Sequence, residues 1–455
     1  MTIMPRIIDE PELRPSSFDE HHPPESKHID ECVHCGFCLP ACPTYVLWGD
    51  EMDSPRGRIY MIKKASAGEA PLDGQFRQHM DHCLGCMACM TACPSGVPYN
   101  MLIEPTRAQI ERHVQRSFGE SILRKIVFAT FPHPGRLRLL ALPLLVYQKS
   151  GLRRLLRACG APKLLPKRLA AMEDLLPEVS AGVLDRLPSR IVPKGTPRRR
   201  VGMLSGCVQR VFFSKVNAAT ARVLAAEGCE VIISPDQPCC GALMTHSGLE
   251  REAAELAKRM IAVFEAANVD TVVINSAGCG SSMKEYGYLL RDDPVWAGRA
   301  AAFAAKCRDI SELLCELEPQ AERHPLQGRI AYHDACHLQH AQGVREQPRR
   351  LLNAIPQLEV AEIPEASLCC GSAGVYNLLQ PETAAELGSR KVENLLTTHA
   401  DAVVSANPGC LLQIMSSMRK RGLKTLPAFH MIELLDASIQ GVPLQNFSSD
   451  RRDAR

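Results

Sequence analysis

Two stretches of the chain carry thiols at a spacing suited to one kind of inorganic chemistry. The first is Cys32-Val-His-Cys35-Gly-Phe-Cys38-Leu-Pro-Ala-Cys42-Pro43. The second is Cys83-Leu-Gly-Cys86-Met-Ala-Cys89-Met-Thr-Ala-Cys93-Pro94. Both read C-x2-C-x2-C-x3-C-P, the run that holds [4Fe–4S] clusters in bacterial-type ferredoxins. Three thiolates two residues apart wrap three irons of one cube, and the fourth ligates the other cluster in two-cluster ferredoxins. The proline after it ends the loop and withholds a donor. This assigns Cys32, Cys35, Cys38 and Cys93 to one cube, and Cys83, Cys86, Cys89 and Cys42 to the other. Structural zinc also uses paired C-x2-C motifs, but it does not account for this whole pattern occurring twice. Two cubes that exchange a ligand sit close together, which suits sequential one-electron transfer.

Eight further cysteines form an internal repeat. The first copy holds Cys207, Cys239-Cys240-Gly241 and Cys279; the second holds Cys336, Cys369-Cys370-Gly371 and Cys410. The single cysteine precedes the pair by 32 residues in one copy and 33 in the other, and the last follows it by 39 and 40. Matched offsets of this kind indicate duplication. Adjacent cysteines rarely serve a core, so each copy reads as a second class of iron–sulfur or thiolate site. The competing reading is buried, inert cysteine, and the lone Cys159, Cys229, Cys307 and Cys315 are assigned to it. His333, His337 and His340 flank Cys336. Each has the chemistry of a ligand or proton donor, but a hydrogen-bonding, structural role is the expectation for all three.

The elements that must position these thiols alternate. Arg200-Val-Gly-Met-Leu204 and Asp270-Thr-Val-Val-Ile-Asn275 read as strands, with helices over Ala218 to Glu227 and Glu250 to Ala267. The second copy has strands at Arg329 to Tyr332 and Ala402 to Ser405, and a helix near Pro381 to Thr397. Strand–helix alternation predicts parallel α/β layers, whose ligand sites lie beyond the carboxyl ends of strands. The four cysteines of each copy are expected to converge there. Between the ferredoxin-type runs, Pro55-Arg-Gly-Arg58 leads into a helical Ile59 to Ala67, an insertion that favours a helical ferredoxin-like domain. Arg56 and Arg58 would raise a cluster potential where they pack against it.

The fold class is therefore α+β and multidomain. The expected segments are a flexible tail at 1–28, a two-cluster ferredoxin-like domain at 29–100 and a basic helical connector at 101–200. Two repeated α/β Cys-Cys-Gly domains at 201–326 and 327–440 follow, then a polar tail at 441–455. The length of 455 residues is ample for several domains. A hydrophobic fraction of 45% and a charged fraction of 23% are ordinary for a globular chain. The net charge of +3 gives no case for nucleic acid. Clustered cysteines point to metal in a reducing compartment, so a cytoplasmic location is expected. No signal peptide is seen, and the longest apolar run, Leu139 to Tyr147, is half a membrane span. The connector carries 20 Lys and Arg against 7 Asp and Glu. Its few aromatics argue against base stacking. Leu152-Arg-Arg-Leu-Leu-Arg157 reads as an amphipathic helix, either packed on a partner or lying on the inner face of an anionic membrane.

These residues resemble the iron–sulfur subunit of bacterial glycolate oxidase (glycolate dehydrogenase), within the wider Cys-Cys-Gly, heterodisulfide-reductase-like family. The resemblance rests on Cys32-Val-His-Cys-Gly-Phe-Cys, Cys42-Pro-Thr-Tyr, Asp53-Ser-Pro-Arg-Gly-Arg-Ile, Tyr332-His-Asp-Ala-Cys-His-Leu, Cys369-Cys-Gly-Ser-Ala-Gly and Leu378-Leu-Gln-Pro-Glu, and it runs from about residue 29 to 440. It implies an electron-transfer subunit of a flavin-dependent 2-hydroxy-acid dehydrogenase. FAD-linked partner subunits would take electrons from glycolate, and this chain would pass them to a quinone or other membrane acceptor. The alternatives are a catalytic thiol–disulfide reductase, an iron–sulfur subunit serving lactate or glycerol 3-phosphate, and a cluster-bearing sensor or scaffold. Family repeats often end in C-x2-C. Here Cys279 is followed by Gly-Ser-Ser and Cys410 by Leu-Leu-Gln, so each copy lacks a fifth cysteine. That weakens the disulfide-reducing reading and leaves four-cysteine ligation. No G-x-G-x-x-G follows a strand and no phosphate-loop motif is present, so no flavin site and no catalytic residue is expected on this chain.

Overall fold

The β-branched runs after residue 190 fold into two separate sheets. The computed structural model describes residues 15–443 apart from 161–163, 165–166, 178, 180–182, 184, 194 and 424–425. Residues 1–14 and 444–455 of the expected tails lie outside the described residues. The chain divides into two compact units, residues 1–83 with 89–115, and residues 84–88 with 116–455.

The first unit is helical. Its helices are α1 (Ser26–Asp30), α2 (Pro43–Trp48), α3 (Pro55–Ser66), α4 (Gly74–His82), α5 (Ala88–Ala92, beginning within 84–88) and α6 (Asn100–His113). The starts are written in the sequence. Pro43 opens α2 immediately after Cys42, and Ser54 caps α3 by accepting from Gly57 N with Pro55 at the first helical position. Asp73 caps α4 by accepting from Phe76 N. Two features depart from the expected segments. Residues 15–28 are packed: Phe18 is buried edge-on to Phe76, and Asp19 accepts from Arg112, His113 and Gln109. Helix α6 runs through position 100 and ends inside the first unit, because its buried residues Leu102, Ile103 and Ile110 continue past that point.

The second unit begins with α7 (Phe118–Thr130), α8 (Pro134–Lys149) and α9 (Leu152–Ala158). Two sheets follow. The first has strands β1 (Arg190–Ile191), β2 (Arg199–Met203), β3 (Cys229–Ile232), β4 (Thr271–Ile274) and β5 (Cys307–Asp309), in the order β1-β3-β2-β4-β5. The second has β6 (Gly328–His333), β7 (Leu358–Glu362), β8 (Ala402–Ser405) and β9 (Ala428–His430), in the order β7-β6-β8-β9. All pairings are parallel except β1 with β3. Without β1 the two orders are the same, so the duplication inferred from cysteine offsets is a duplication of topology.

The interior strands β4 and β8 are buried throughout, as parallel sheets covered on both faces require. The two cores merge where the helix Ser214–Ala226 meets the helix Met431–Gln440, with Arg222 donating to Asp436 at 2.6 Å. The expected helices appear as Ser214–Ala226, Glu250–Ala266 and Pro381–Leu396.

Candidate iron–sulfur centres

The two ferredoxin-type loops share a backbone device. In the first, His34 and Gly36 have φ of 55° and 85°; in the second, Gly85 and Met87 have 65° and 60°. These positions sit two and four residues after the leading cysteine of each run. Alternating left-handed residues turn successive N–H groups toward one concavity, a cradle for an anionic group. Two non-glycine residues held at positive φ store strain of about 1–3 kcal/mol each, which persists at functional sites.

Around the first loop, Cys32, Cys35, Cys38, Cys89 and Cys93 line one cavity of about 30 Å³ together with Arg56 and Tyr99. Burial pushes the Cys38 thiol up to about 11 and also raises Cys32. Thiols so placed ionise readily only beside a strong positive charge, so they suit a metal-bearing group. Arg56 donates to His34 O at 3.2 Å and pairs with Glu51 at 2.6 Å.

Cys42 lies in a different environment. Its Sγ is 3.2 Å from Thr44 Oγ1 and 4.0 Å from the Arg58 guanidinium. Arg58 is fully buried and donates to Asp53 at 3.0 Å, Thr44 at 3.2 Å and His79 O at 2.7 Å. Burial opposes its charge, but the thiols of Cys83 and Cys42 and the Asp53 carboxylate outweigh that and hold it protonated. Burial likewise opposes ionisation of Asp53. Hydrogen bonding from His82 and the charge of Arg58 prevail and keep the carboxyl below its ordinary range. Tyr99 donates to Cys83 Sγ at 3.7 Å. Of the two arginines expected to touch a centre, Arg58 is thus the buried one. The network behind it, Asp53 with His79 and His82, is a feature the sequence reading missed. Its only signal was the acid five residues before Arg58 in Asp53-Ser-Pro-Arg-Gly-Arg.

The repeated cysteines converge as expected. Cys207, Cys279, Cys336 and Cys410 follow the ends of β2, β4, β6 and β8 by three to five residues, and both pairs occupy loops. In the first copy Cys207 Sγ lies 3.5 Å from Cys239 Sγ, and Cys240 bonds both Cys239 and Cys279. In the second copy Cys336, Cys369, Cys370 and Cys410 form a continuous thiol chain. Bonds from neighbouring thiols lower Cys239, Cys336 and Cys370 below the ordinary thiol value, favouring thiolate ligands within each set. All eight line one cavity of about 680 Å³, whose outer wall includes Leu137, Leu140, Leu144 and Tyr147 of α8.

The glycine of each pair has a steric reason. Gly241 and Gly371 have φ of 81° and 88°, and a Cβ at Gly371 would sit 2.7 Å from Ala384 O. Lys391, also unforeseen, is buried and donates to Glu365 O at 2.6 Å. Burial lowers its pKa against the pull of the Cys370 and Cys369 thiols.

The flanking histidines differ from one another. His340 meets the structural expectation, with Nε2 3.1 Å from Ser367 O. His337 Nδ1 lies 3.5 Å from Cys336 Sγ. Among the lone cysteines, Cys229 and Cys307 are buried and Cys315 is half-buried. Cys159 corrects the expectation, being exposed at the end of α9, where that short helix buries no residue.

Comparison with known proteins gives three family matches. Residues 28–97 match the 4Fe-4S dicluster domain, residues 119–176 match the linker region of the glycolate oxidase iron-sulfur subunit, and residues 201–284 and 330–415 match the cysteine-rich domain. A probable glycolate oxidase iron-sulfur subunit of Bacillus subtilis (strain 168) is 40% identical over 410 residues, covering 89% of this chain and 92% of the relative. The glycolate oxidase iron-sulfur subunit of Escherichia coli (strain K12) is 35% identical over 415 residues, covering 90% and 94%. Lactate utilization protein A of Geobacillus sp. (strain WCH70) is 31% identical over 239 residues, covering 52% of this chain and 99% of that one.

Proposed function

The chain belongs to the family of glycolate oxidase iron–sulfur subunits, and from that premise we propose that it carries electrons from FAD-linked dehydrogenase subunits, which oxidise glycolate, to a quinone at the membrane. Iron–sulfur clusters supply one-electron redox chemistry to such a subunit. Cys32, Cys35, Cys38 and Cys93 hold one [4Fe–4S] cluster, and Cys83, Cys86, Cys89 and Cys42 hold the second. Cys207, Cys239, Cys240 and Cys279, and Cys336, Cys369, Cys370 and Cys410, hold further clusters in the repeats. The observation that carries the reading is the matched pair of left-handed cradles at the two ferredoxin-type runs.

The chain's own residues set the conditions of transfer. Buried Arg58 offsets negative charge at Cys42, and Tyr99 donates to Cys83; both favour the reduced form of a centre held there. Burial of Cys42, Cys83, Cys86 and Cys89 excludes water from the second set, whereas Cys35 of the first is exposed.

The membrane side of the proposal rests on α7, α8 and α9. No helix among the described residues is long and apolar enough to cross a membrane. Helix α8 is apolar on two sides: Leu137 and Ala141 are buried against Val179, Val183 and Val211, while Leu139, Leu140, Leu142 and Val146 are exposed. Phe118, Ile122 and Ile126 are exposed on α7, and Leu152 and Leu155 are exposed on α9. Residues 121–160 contain eight Lys and Arg and no Asp or Glu. Arg153 and Arg157 pair with Glu173 at 3.0 and 2.7 Å, so the fit to an anionic bilayer surface rests on the exposed apolar side chains together with the cation excess of this stretch. The cavity wall on α8 lies on the same helix, a short route for a lipophilic acceptor.

Co-sedimentation with phosphatidylglycerol vesicles tests this. Binding is expected to exceed that to phosphatidylcholine and to be lost in Leu139→Glu/Val146→Glu. Retained vesicle binding with loss of the flavin subunits from the variant would assign the surface to those partners instead. Genes for FAD-linked oxidase subunits beside this one would support the electron donor.

A further inference from the structure

The two repeats are not chemically equivalent, and the difference lies where β2 and β6 end. Three residues before Cys336 is His333, the last residue of β6; three residues before Cys207 is Leu204. Both side chains are 1% exposed. The register of β6 on β8 places His333 opposite Ser405, just ahead of the segment that carries Cys410. A ring nitrogen of His333 and the Sγ atoms of Cys370 and Cys410 all lie within 4.8 Å of one another. His333 Nδ1 has no hydrogen-bond partner among the described residues. The ring also makes a side-chain hydrogen bond to Cys370, so it already faces the thiol set. Both repeats lack a fifth cysteine after the last one. In the second repeat a nitrogen donor stands in the same thiol set.

We propose that His333 is a fifth, nitrogen ligand to the iron held by Cys336, Cys369, Cys370 and Cys410, so that the second repeat is a mixed thiolate–imidazole site and the first an all-thiolate site. The inference rests on the reading that the second repeat holds an iron–sulfur cluster. The imidazole is neutral and adds to the four thiolates without replacing one, so the two repeats keep the same thiolate charge and differ in coordination. Lys391, whose counterparts in the first repeat are the apolar Met260 and Ile261, is a cationic side chain interacting with Cys370 and Cys369, and its charge raises the potential of the second centre. Electrons entering the repeats would settle on the second.

The test uses the full chain, purified anaerobically and reduced with dithionite, with and without 15N-histidine labelling. Pulsed EPR of wild type is expected to show a strongly coupled histidine nitrogen. His333→Leu, which copies the residue of the first repeat, is expected to lose that coupling and keep its iron. A coupling that persists in His333→Leu, or only the weak coupling of a hydrogen-bonded ring in wild type, would overturn the assignment of His333. Cys369→Ser separates this from the underlying reading. An iron content unchanged by Cys369→Ser would show that the repeat holds no cluster and would overturn both.

Discussion

Arg58 gives the sharpest test of how the first unit is held around its thiols. Replacing it with methionine keeps a long buried side chain but strands the Asp53 carboxylate, Thr44 Oγ1 and His79 O, all within 2.7–3.2 Å of the guanidinium. Removing one partner of a buried ion pair costs about 3–5 kcal/mol. At an effective dielectric of about 20, two charges at the 3.0 Å separation of this pair attract by about 5–6 kcal/mol, which bounds the loss from above. Asp53 also faces His79 and His82 at 3.2 and 3.1 Å. Their rings soften the loss, so the expected value is about 3 kcal/mol. Native-state amide exchange in α3 reads this locally, and its amides should exchange about a hundredfold faster. Adding Asp53→Asn to Arg58→Met should recover half or more of that change, because the cost lies in an orphaned charge. A single-variant effect below about 1 kcal/mol, or a double variant equal to the sum of the singles, would refute the reasoning.

The cysteine assignments predict a pattern of non-additivity. Cys32→Ser/Cys93→Ser should lose about four irons, no more than either single variant, whereas Cys32→Ser/Cys42→Ser should lose about eight, counted as four per cube; the reverse pattern would exclude the exchanged ligand. Gly371→Ala forces a Cβ to 2.7 Å from Ala384 O at a φ of 88° and should lower iron retention in the second repeat, at a strain of about 1–3 kcal/mol. Gly241→Ala, whose nearest contact is 3.4 Å, should retain more metal, and equal loss by iron assay would contradict the steric account.

The caps of two equivalent helices, Asp309 before Ile310–Glu316 and His430 before Met431–Gln440, respond oppositely to acid. Burial lowers His430 to about 4, so the unfolded chain binds its proton first and stability is lost as pH falls from about 6.5 to about 4, by about 3 kcal/mol. Burial raises Asp309 to about 6, so its contribution is lost as pH rises from about 4 to about 6. Amide exchange should therefore lose its acceleration with falling pH in His430→Asn, and its acceleration as pH rises from about 4 to about 6 in Asp309→Asn; unchanged pH profiles would contradict these directions.

Much of this architecture is legible because the signals are local. The four strands anticipated in the repeats correspond to β2, β4, β6 and β8, since parallel strands buried on both faces read as unbroken apolar runs. The convergence of eight repeated thiols was legible too, because each follows a strand end. What escaped depends on long-range pairing. Asp19 looks like part of a polar tail until Arg112 and His113 fold over it from 90 residues away. Asp53, His79 and His82 are ordinary polar residues until Arg58 is buried among them. His333 reads as a strand-end histidine, and only its place beside Cys370 and Cys410 sets it apart.

The most direct measurement is the iron and acid-labile sulfide content of anaerobically purified chain, with EPR after dithionite. The two ferredoxin-type runs predict at least about eight irons with matching sulfide, and cluster-bearing repeats raise that to about twelve to sixteen, with bleaching and a paramagnetic signal on reduction. A colourless chain holding zinc in their place, magnetically silent under dithionite, would contradict the account.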